Sequence, residues 1–154
     1  MHLALLVLLA IPLPTTPAGT QLSRWLPVFA GGNQEAYRVF IAEHYAKALL
    51  DETTADYRAG LAGRTWLDAH GFEITSIEKS SDTEIVVLAR ATLTSLWYRI
   101  TLAVEAAPPH RITNYVTQRI QPPHATKLAT RELRRMRRLD ATKLARGELR
   151  RMRR

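Results

Sequence analysis

The period of the hydrophobic pattern changes once along the chain, at Gly71. Before this glycine, apolar residues recur every three or four positions, which is the spacing of one helix face. After it, apolar and polar residues alternate and β-branched side chains are frequent, which indicates strands. A run of helices followed by a run of strands predicts an α+β fold.

Three helical segments are predicted before Gly71. The apolar stripe of the first comprises Leu22, Trp25, Leu26 and Phe29. We expect Pro27 to shorten or kink this helix, and Gly31-Gly32 to end it. Asn33 is a suitable N-cap for the second helix, whose stripe comprises Tyr37, Phe40, Ile41, His44 and Ala48. The third begins near a capping box of Thr53 and Asp56, and its small-residue stripe comprises Ala55, Ala59, Ala62, Trp66 and Ala69.

Four strands are predicted after Gly71, at residues 72–78, 84–93, 97–105 and 111–120. One face of the third strand comprises Tyr98, Ile100, Leu102 and Val104. Because the connections are short, we expect an antiparallel meander with the helices packed on one face. The other face would be half open, and it is where we expect a ligand or a partner.

Basic residues are concentrated at the end of the chain. The 154 residues carry a formal net charge of +8. Residues 124–154 hold 12 of the 22 Lys and Arg but only 3 of the 14 Asp and Glu, a net of +9, so the rest of the chain has a net charge of −1. A nucleic-acid or anionic-surface partner is therefore a hypothesis about the tail and not about the folded body.

The tail contains a duplication. Ala125–Arg138 recurs as Ala141–Arg154 with 12 of 14 positions identical. We predict helix here, but the 16-residue offset turns the second apolar arc by about 160° from the first. The alternatives are a linker helix copied twice, attachment to an anionic surface, and non-specific nucleic-acid binding through phosphates. The contacts in the last two would be Arg134, Arg135, Arg137, Arg138, Arg150, Arg151, Arg153 and Arg154.

The N-terminus has the pattern of an export signal. Leu3–Ile11 is a run of nine apolar residues, which is too short to span a bilayer, since a spanning helix needs about 20. It has the length of a signal-peptide core, and prolines and small residues follow it. We therefore predict a signal peptide over residues 1–18, a mature chain from Gly19 without a transmembrane span, and a secreted or periplasmic location.

A family resemblance is carried by the run from Ala91 to Glu105 followed by Pro108-Pro109-His110-Arg111-Ile112. Upstream, the segments Arg24-Trp25-Leu26 and Phe40–Tyr45 match in the same order. Residues 20–123 thus resemble the N-terminal accessory region of secreted bacterial beta-lactamase-like serine hydrolases. The resemblance implies a cystatin-like fold of the nuclear-transport-factor-two type, with the chemistry in a domain that follows the accessory region.

The catalytic motifs of such a hydrolase are not found in this chain. Ser76-Ile77-Glu78-Lys79 fits Ser-x-x-Lys, but it lies on a predicted strand that runs into a turn, and no partner motif follows it. The chain has no cysteine, which excludes disulfides and a thiolate site. None of the five histidines forms a metal motif, so we predict neither a metal nor a cofactor. We expect His44 to be half-buried and His110 to lie in a surface turn.

Two functions for the body remain open. We expect foremost a non-catalytic accessory module that binds a ligand or partner at the sheet face, separated from its enzyme. The alternative is a small cyclase or isomerase with a pocket between helices and sheet. The residues expected to line that pocket are Tyr37, Tyr57, Asp68 and Tyr98.

Overall fold

The computed structural model describes residues 11–123, and within them four helices precede a four-stranded sheet. The helices are α1 (Pro17–Ala30), α2 (Gln34–His44), α3 (Lys47–Glu52) and α4 (Ala55–Ala69). The strands are β1 (Phe72–Ser80), β2 (Glu84–Ala91), β3 (Trp97–Val104) and β4 (Ile112–Ile120). This order confirms the predicted α+β class. Residues 1–10 and the duplicated tail, with its eight arginines, lie outside the described residues.

We expected Pro27 to shorten or kink the first helix, and the helix is not shortened, because it continues beyond this proline to Ala30. Its interior proline costs about 3 kcal/mol in an isolated helix. Trp25 and Phe29, on either side of Pro27, are both 1% exposed in the core. Burial of these two large side chains offsets the cost, so α1 ends only at Ala30, with Gly31 as its C-cap.

The second helix ends four residues earlier than the apolar stripe predicted. Asn33 caps it as expected and accepts a hydrogen bond from the Ala36 N–H at 3.1 Å. At the other end, Tyr45 leaves the helix and forms a parallel bridge to Ile112. The Ala46 N–H donates to the Ile112 carbonyl at 2.8 Å. This contact with a distant strand ends α2, and the following residues form the short helix α3.

The fourth helix carries the predicted small-residue stripe. Ala59 and Ala69 are buried in the core, and Trp66 packs partly against it. The N-cap is Thr54 and not Thr53, and its Oγ1 accepts a hydrogen bond from the Tyr57 N–H at 3.3 Å. The position of this helix start is therefore one residue later than the capping-box pattern predicted.

The sheet is an antiparallel meander in the order β1-β2-β3-β4, as predicted. Alternate residues of β2 and β3 are buried beneath the helices, namely Ile85, Val87, Ala89, Ala91, Tyr98, Ile100, Leu102 and Val104. The opposite face carries ion pairs between strands, one between β1 and β2 and one that spans from β1 to β3. Arg90 pairs with Glu73 at 2.8 Å, and Arg99 pairs with Glu78 at 2.7 Å.

Residues 13–18, which immediately precede Gly19, belong to the folded body. The Thr16 side chain caps α1 by accepting a hydrogen bond from the Gly19 N–H at 3.2 Å. Ala18 is fully buried, and its N–H donates to the Asp82 carbonyl at 3.3 Å. The cleavage point predicted after Ala18 therefore lies inside α1, and cleavage there would remove the cap of this helix.

Candidate functional site

A cavity of about 380 Å³ lies between α4 and β4. Trp25 and Phe29 of α1 and Ile41 of α2 contribute to its lining. Because α4 packs chiefly against α2, it leaves part of the inner face of β4 uncovered. The volume is at the lower end of the range for small-molecule sites, which is roughly 300–1,000 Å³.

The sequence of α4 explains its side of the cavity. The lining residues Arg58, Leu61, Ala62 and Thr65 are spaced i, i+3, i+4 and i+7, so they share one helix face. On β4, Tyr115 and Thr117 lie two residues apart and share the inner face of the strand. The small side chains of Ala62, Thr65 and Thr117 leave the space between helix and strand unfilled.

The guanidinium of Arg58 is held in place at the wall. Its Nε donates to the Thr53 carbonyl and its Nη2 to the Leu49 carbonyl, both at 3.1 Å. The guanidinium carbon also lies 5.7 Å from the centre of the Tyr45 ring, which is within cation–π range. The group is therefore preorganised before any ligand enters.

Two buried donors of the lining have no acceptor among the described residues. Trp25 Nε1 and Tyr115 Oη are both shielded from solvent without a hydrogen-bond partner there. The two rings pack edge to face with their centres 5.8 Å apart. A buried donor that lacks a partner typically costs about 1–3 kcal/mol.

The tyrosines at the cavity stay protonated at neutral pH. Burial raises the pKa of Tyr45 well above its ordinary value, and the nearby Tyr115 raises it further. Burial likewise raises the pKa of Tyr115, and the neighbouring Trp25 indole only partly opposes this effect. Both hydroxyls are thus hydrogen-bonding groups and not bases. Among residues 11–123, the lining contains Arg58 and Arg64 but no carboxylate and no histidine, so this lining is electropositive.

The residues predicted to form a catalytic pocket are not brought together at this cavity. Tyr37 is buried in the core, and its hydroxyl donates to the Phe29 carbonyl at 2.6 Å. Tyr98 is 5% exposed beneath the helices, and its ring packs edge-on against Phe72 at 5.2 Å. Tyr57 is 58% exposed, and Asp68 is also exposed. None of the four predicted residues lines the cavity.

The other candidate residues have ordinary surroundings. His44 is half-buried and stacks on Phe40, with ring centres 4.2 Å apart. His110 lies in the turn, where its Nδ1 is 3.0 Å from the Glu105 carbonyl. Ser76 lies within β1 and not at a helix N-terminus. Among residues 11–123, no group of three or more His, Asp or Glu is placed to hold a metal ion.

Arg58, Trp25 and Tyr115 line the cavity but are not among the site residues predicted from the sequence. Trp25 was assigned to the apolar stripe of α1, and its ring is indeed buried in the core. That assignment did not consider the indole N–H, which is a hydrogen-bond donor. The available signal was Arg58, a cation that shares one face of α4 with Leu61, Ala62 and Thr65. An arginine on an otherwise apolar helix face indicates a polar contact or a site.

No family model, no curated protein and no solved structure matches the chain. Within residues 11–123, no helix has both the length and the apolar character that a membrane span requires.

Proposed function

We propose that the α+β body is a non-catalytic binding module and that the cavity between α4 and β4 is its ligand site. The observation that carries the proposal is the open cavity itself, whose wall includes Trp25 and Tyr115. Both residues hold a buried polar atom, Nε1 and Oη, without a hydrogen-bond partner among the described residues. A bound molecule with an oxygen atom would satisfy them once these side chains turn toward the cavity. The proposal therefore moves the expected site from the open sheet face to the helix side of the sheet.

The chemistry of the lining favours binding over catalysis. General acid–base catalysis needs a group that gains and loses a proton near the working pH. The titratable side chains of the lining are Arg58, Arg64, Tyr45 and Tyr115, and an arginine stays charged in proteins. Because burial raises the pKa of both tyrosines, these four groups orient a ligand and do not exchange protons with it.

Nuclear magnetic resonance tests the proposal directly. The chain has three tryptophans, and each indole N–H gives its own signal in a two-dimensional spectrum of the full chain labelled with ¹⁵N. We expect a small apolar probe such as octanol to shift the Trp25 signal in a saturable way. The signals of Trp66 and Trp97 should stay in place, because neither residue lines the cavity.

A matched pair of substitutions locates the binding. Ala62→Phe fills the cavity from α4, and it should abolish the shift of the Trp25 signal. Ala42→Phe makes the same change at an exposed position of α2, and it should leave the titration unchanged. The proposal is wrong if octanol leaves the Trp25 signal in place, or if the two variants titrate alike.

We also propose that the protein is exported and serves as an accessory module of the kind that its resemblance implies. The support is the apolar run Leu3–Ile11 and the resemblance over residues 20–123. Sequencing the N-terminus of protein purified from its source tests export. A mature chain that begins near Gly19 agrees with the proposal, and an intact Met1 on protein from the cytosol contradicts it.

A second candidate function belongs to the tail, whose net charge of +9 favours attachment to an anionic surface. Deleting residues 124–154 should abolish retention on anionic liposomes at low salt, while the full chain should be retained and then released as salt increases. Equal retention of the full and the shortened chain contradicts this function.

A further inference from the structure

We infer that the cavity between α4 and β4 takes a small amphiphilic anion, a carboxylate attached to an apolar body. This inference rests on the binding function proposed above and adds the chemical class of the ligand. It follows from three features of the lining, which are its charge, the placement of its arginines and its apolar wall.

The charge of the lining is one-sided. Arg58 and Arg64 both line the cavity, and no aspartate or glutamate of the described residues does. Elsewhere in the body, several basic side chains are matched locally. Arg38 pairs with Glu35, Arg90 with Glu73 and Arg99 with Glu78. At the cavity, neither arginine has an ion-pair partner within residues 11–123, and a ligand anion would supply the missing charge.

The two guanidinium groups suit a carboxylate. Arg58 uses Nε and Nη2 to hold the Thr53 and Leu49 carbonyls, so its Nη1 has no hydrogen bond within the described part of the chain. Arg64 is exposed and can approach the same ligand from solvent. The planar fork of an arginine matches the two oxygens of a carboxylate, and such charge-assisted bonds are stronger than neutral ones.

The remainder of the site favours an apolar body with oxygen acceptors. Phe29, Ile41 and Leu61 contribute aromatic and aliphatic surface to the wall. The two unpartnered buried groups, Trp25 Nε1 and Tyr115 Oη, can both donate, and the indole N–H cannot accept. A carboxylate offers about four lone-pair sites and no donor when ionised. Cations and donors in the lining thus complement an anion that only accepts.

The test compares octanoate with octanol, which share an apolar chain and differ in charge. Both are titrated into the ¹⁵N-labelled full chain at neutral pH, with the Trp25 indole signal as the readout. This readout is specific for the body because the basic tail contains no tryptophan. We expect octanoate to bind at least about tenfold more tightly than octanol, as one charge-assisted hydrogen bond allows.

Three variants assign the preference to the cavity. Arg64→Gln and Arg58→Gln should each weaken octanoate about tenfold and leave octanol within about twofold. Arg90→Gln removes the same charge from the opposite face of the sheet, and it should change neither titration. Because Arg58 also holds two backbone carbonyls, its variant is compared only if its thermal unfolding midpoint is preserved. The comparison of the two probes on the unchanged chain does not depend on any variant.

The outcomes separate this inference from the binding function itself. Tighter octanoate binding that is lost in Arg64→Gln supports the inference. Equal affinities for octanoate and octanol overturn the inference but leave the binding function intact. A preference for octanoate that survives both Arg64→Gln and Arg58→Gln has the same two consequences. If neither probe shifts the Trp25 signal, both the inference and the binding function fail.

Discussion

Removing residues 11–18 should destabilise the body by about 3 kcal/mol. Loss of the Thr16 cap costs about 1 kcal/mol, and loss of the Ala18–Asp82 backbone hydrogen bond costs about 1 kcal/mol. Removing the buried Ala18 methyl group costs about 0.8 kcal/mol. The new α-amino group at the start of α1 opposes the helix dipole and costs about 0.5 kcal/mol more.

Urea unfolding followed by circular dichroism measures this difference. The chain that begins at Ile11 is compared with the chain that begins at Gly19, so residues 1–10 are absent from both. Thr16→Ala in the longer chain isolates the cap, and it should cost about 1 kcal/mol. Thr54→Ala removes the equivalent cap from α4 and serves as the matched control. Equal stability of the two chains, within about 0.5 kcal/mol, would refute the reasoning.

Substitution of two glycines tests whether the segment before Gly19 packs against α1. Replacing a helical glycine by alanine normally stabilises a helix by about 1 kcal/mol. A methyl group at Gly63 of α4 meets open space, so Gly63→Ala should stabilise the body by about this amount. At Gly19 the methyl group would overlap the backbone of Pro14, so Gly19→Ala should destabilise it. Stabilisation by both substitutions would mean that Pro14 does not pack on α1.

Two further predictions concern residues that the sequence analysis singled out. Tyr37→Phe should lower the free energy of unfolding by about 1–2 kcal/mol, because it leaves the buried Phe29 carbonyl without the hydroxyl donor. Tyr57→Phe at the surface should change the free energy of unfolding by less than about 0.5 kcal/mol. Urea unfolding of both variants measures the two values. Burial lowers the pKa of His44, so the unfolded chain binds its proton more readily than the folded chain. Stability should therefore fall as the pH decreases from 7.5 to 5.5, and this loss should be smaller in His44→Gln, as measured by urea unfolding at both pH values.

The strands could be predicted from the sequence because the alternation of apolar and polar residues and the positions of the turns indicate the same strand boundaries. The alternation through Tyr98, Ile100 and Leu102 predicts which face of β3 is buried, and these residues are the ones beneath the helices. Short turns then leave a meander as the simplest arrangement. Local patterns were sufficient here because each strand pairs with its neighbour in the chain.

Two features depend on contacts between distant residues, and local patterns do not contain them. The end of α2 is set by the bridge between Tyr45 and Ile112, which lie far apart in the sequence. The cavity arises where α4 and β4 fail to meet across the small side chains of Ala62 and Thr117. A cavity between two elements produces no recognisable pattern in the sequence of either element. The tyrosines proposed for a pocket were therefore chosen by residue type, and two of them lie in the core.

The most direct test of the account is an experimental structure of the full chain with octanoate bound. The account predicts that the ligand lies between α4 and β4, with its carboxylate at the guanidinium of Arg58 or Arg64 and its chain against Phe29 and Leu61. A structure in which this cavity is closed, or in which the ligand binds only outside it, would contradict the account.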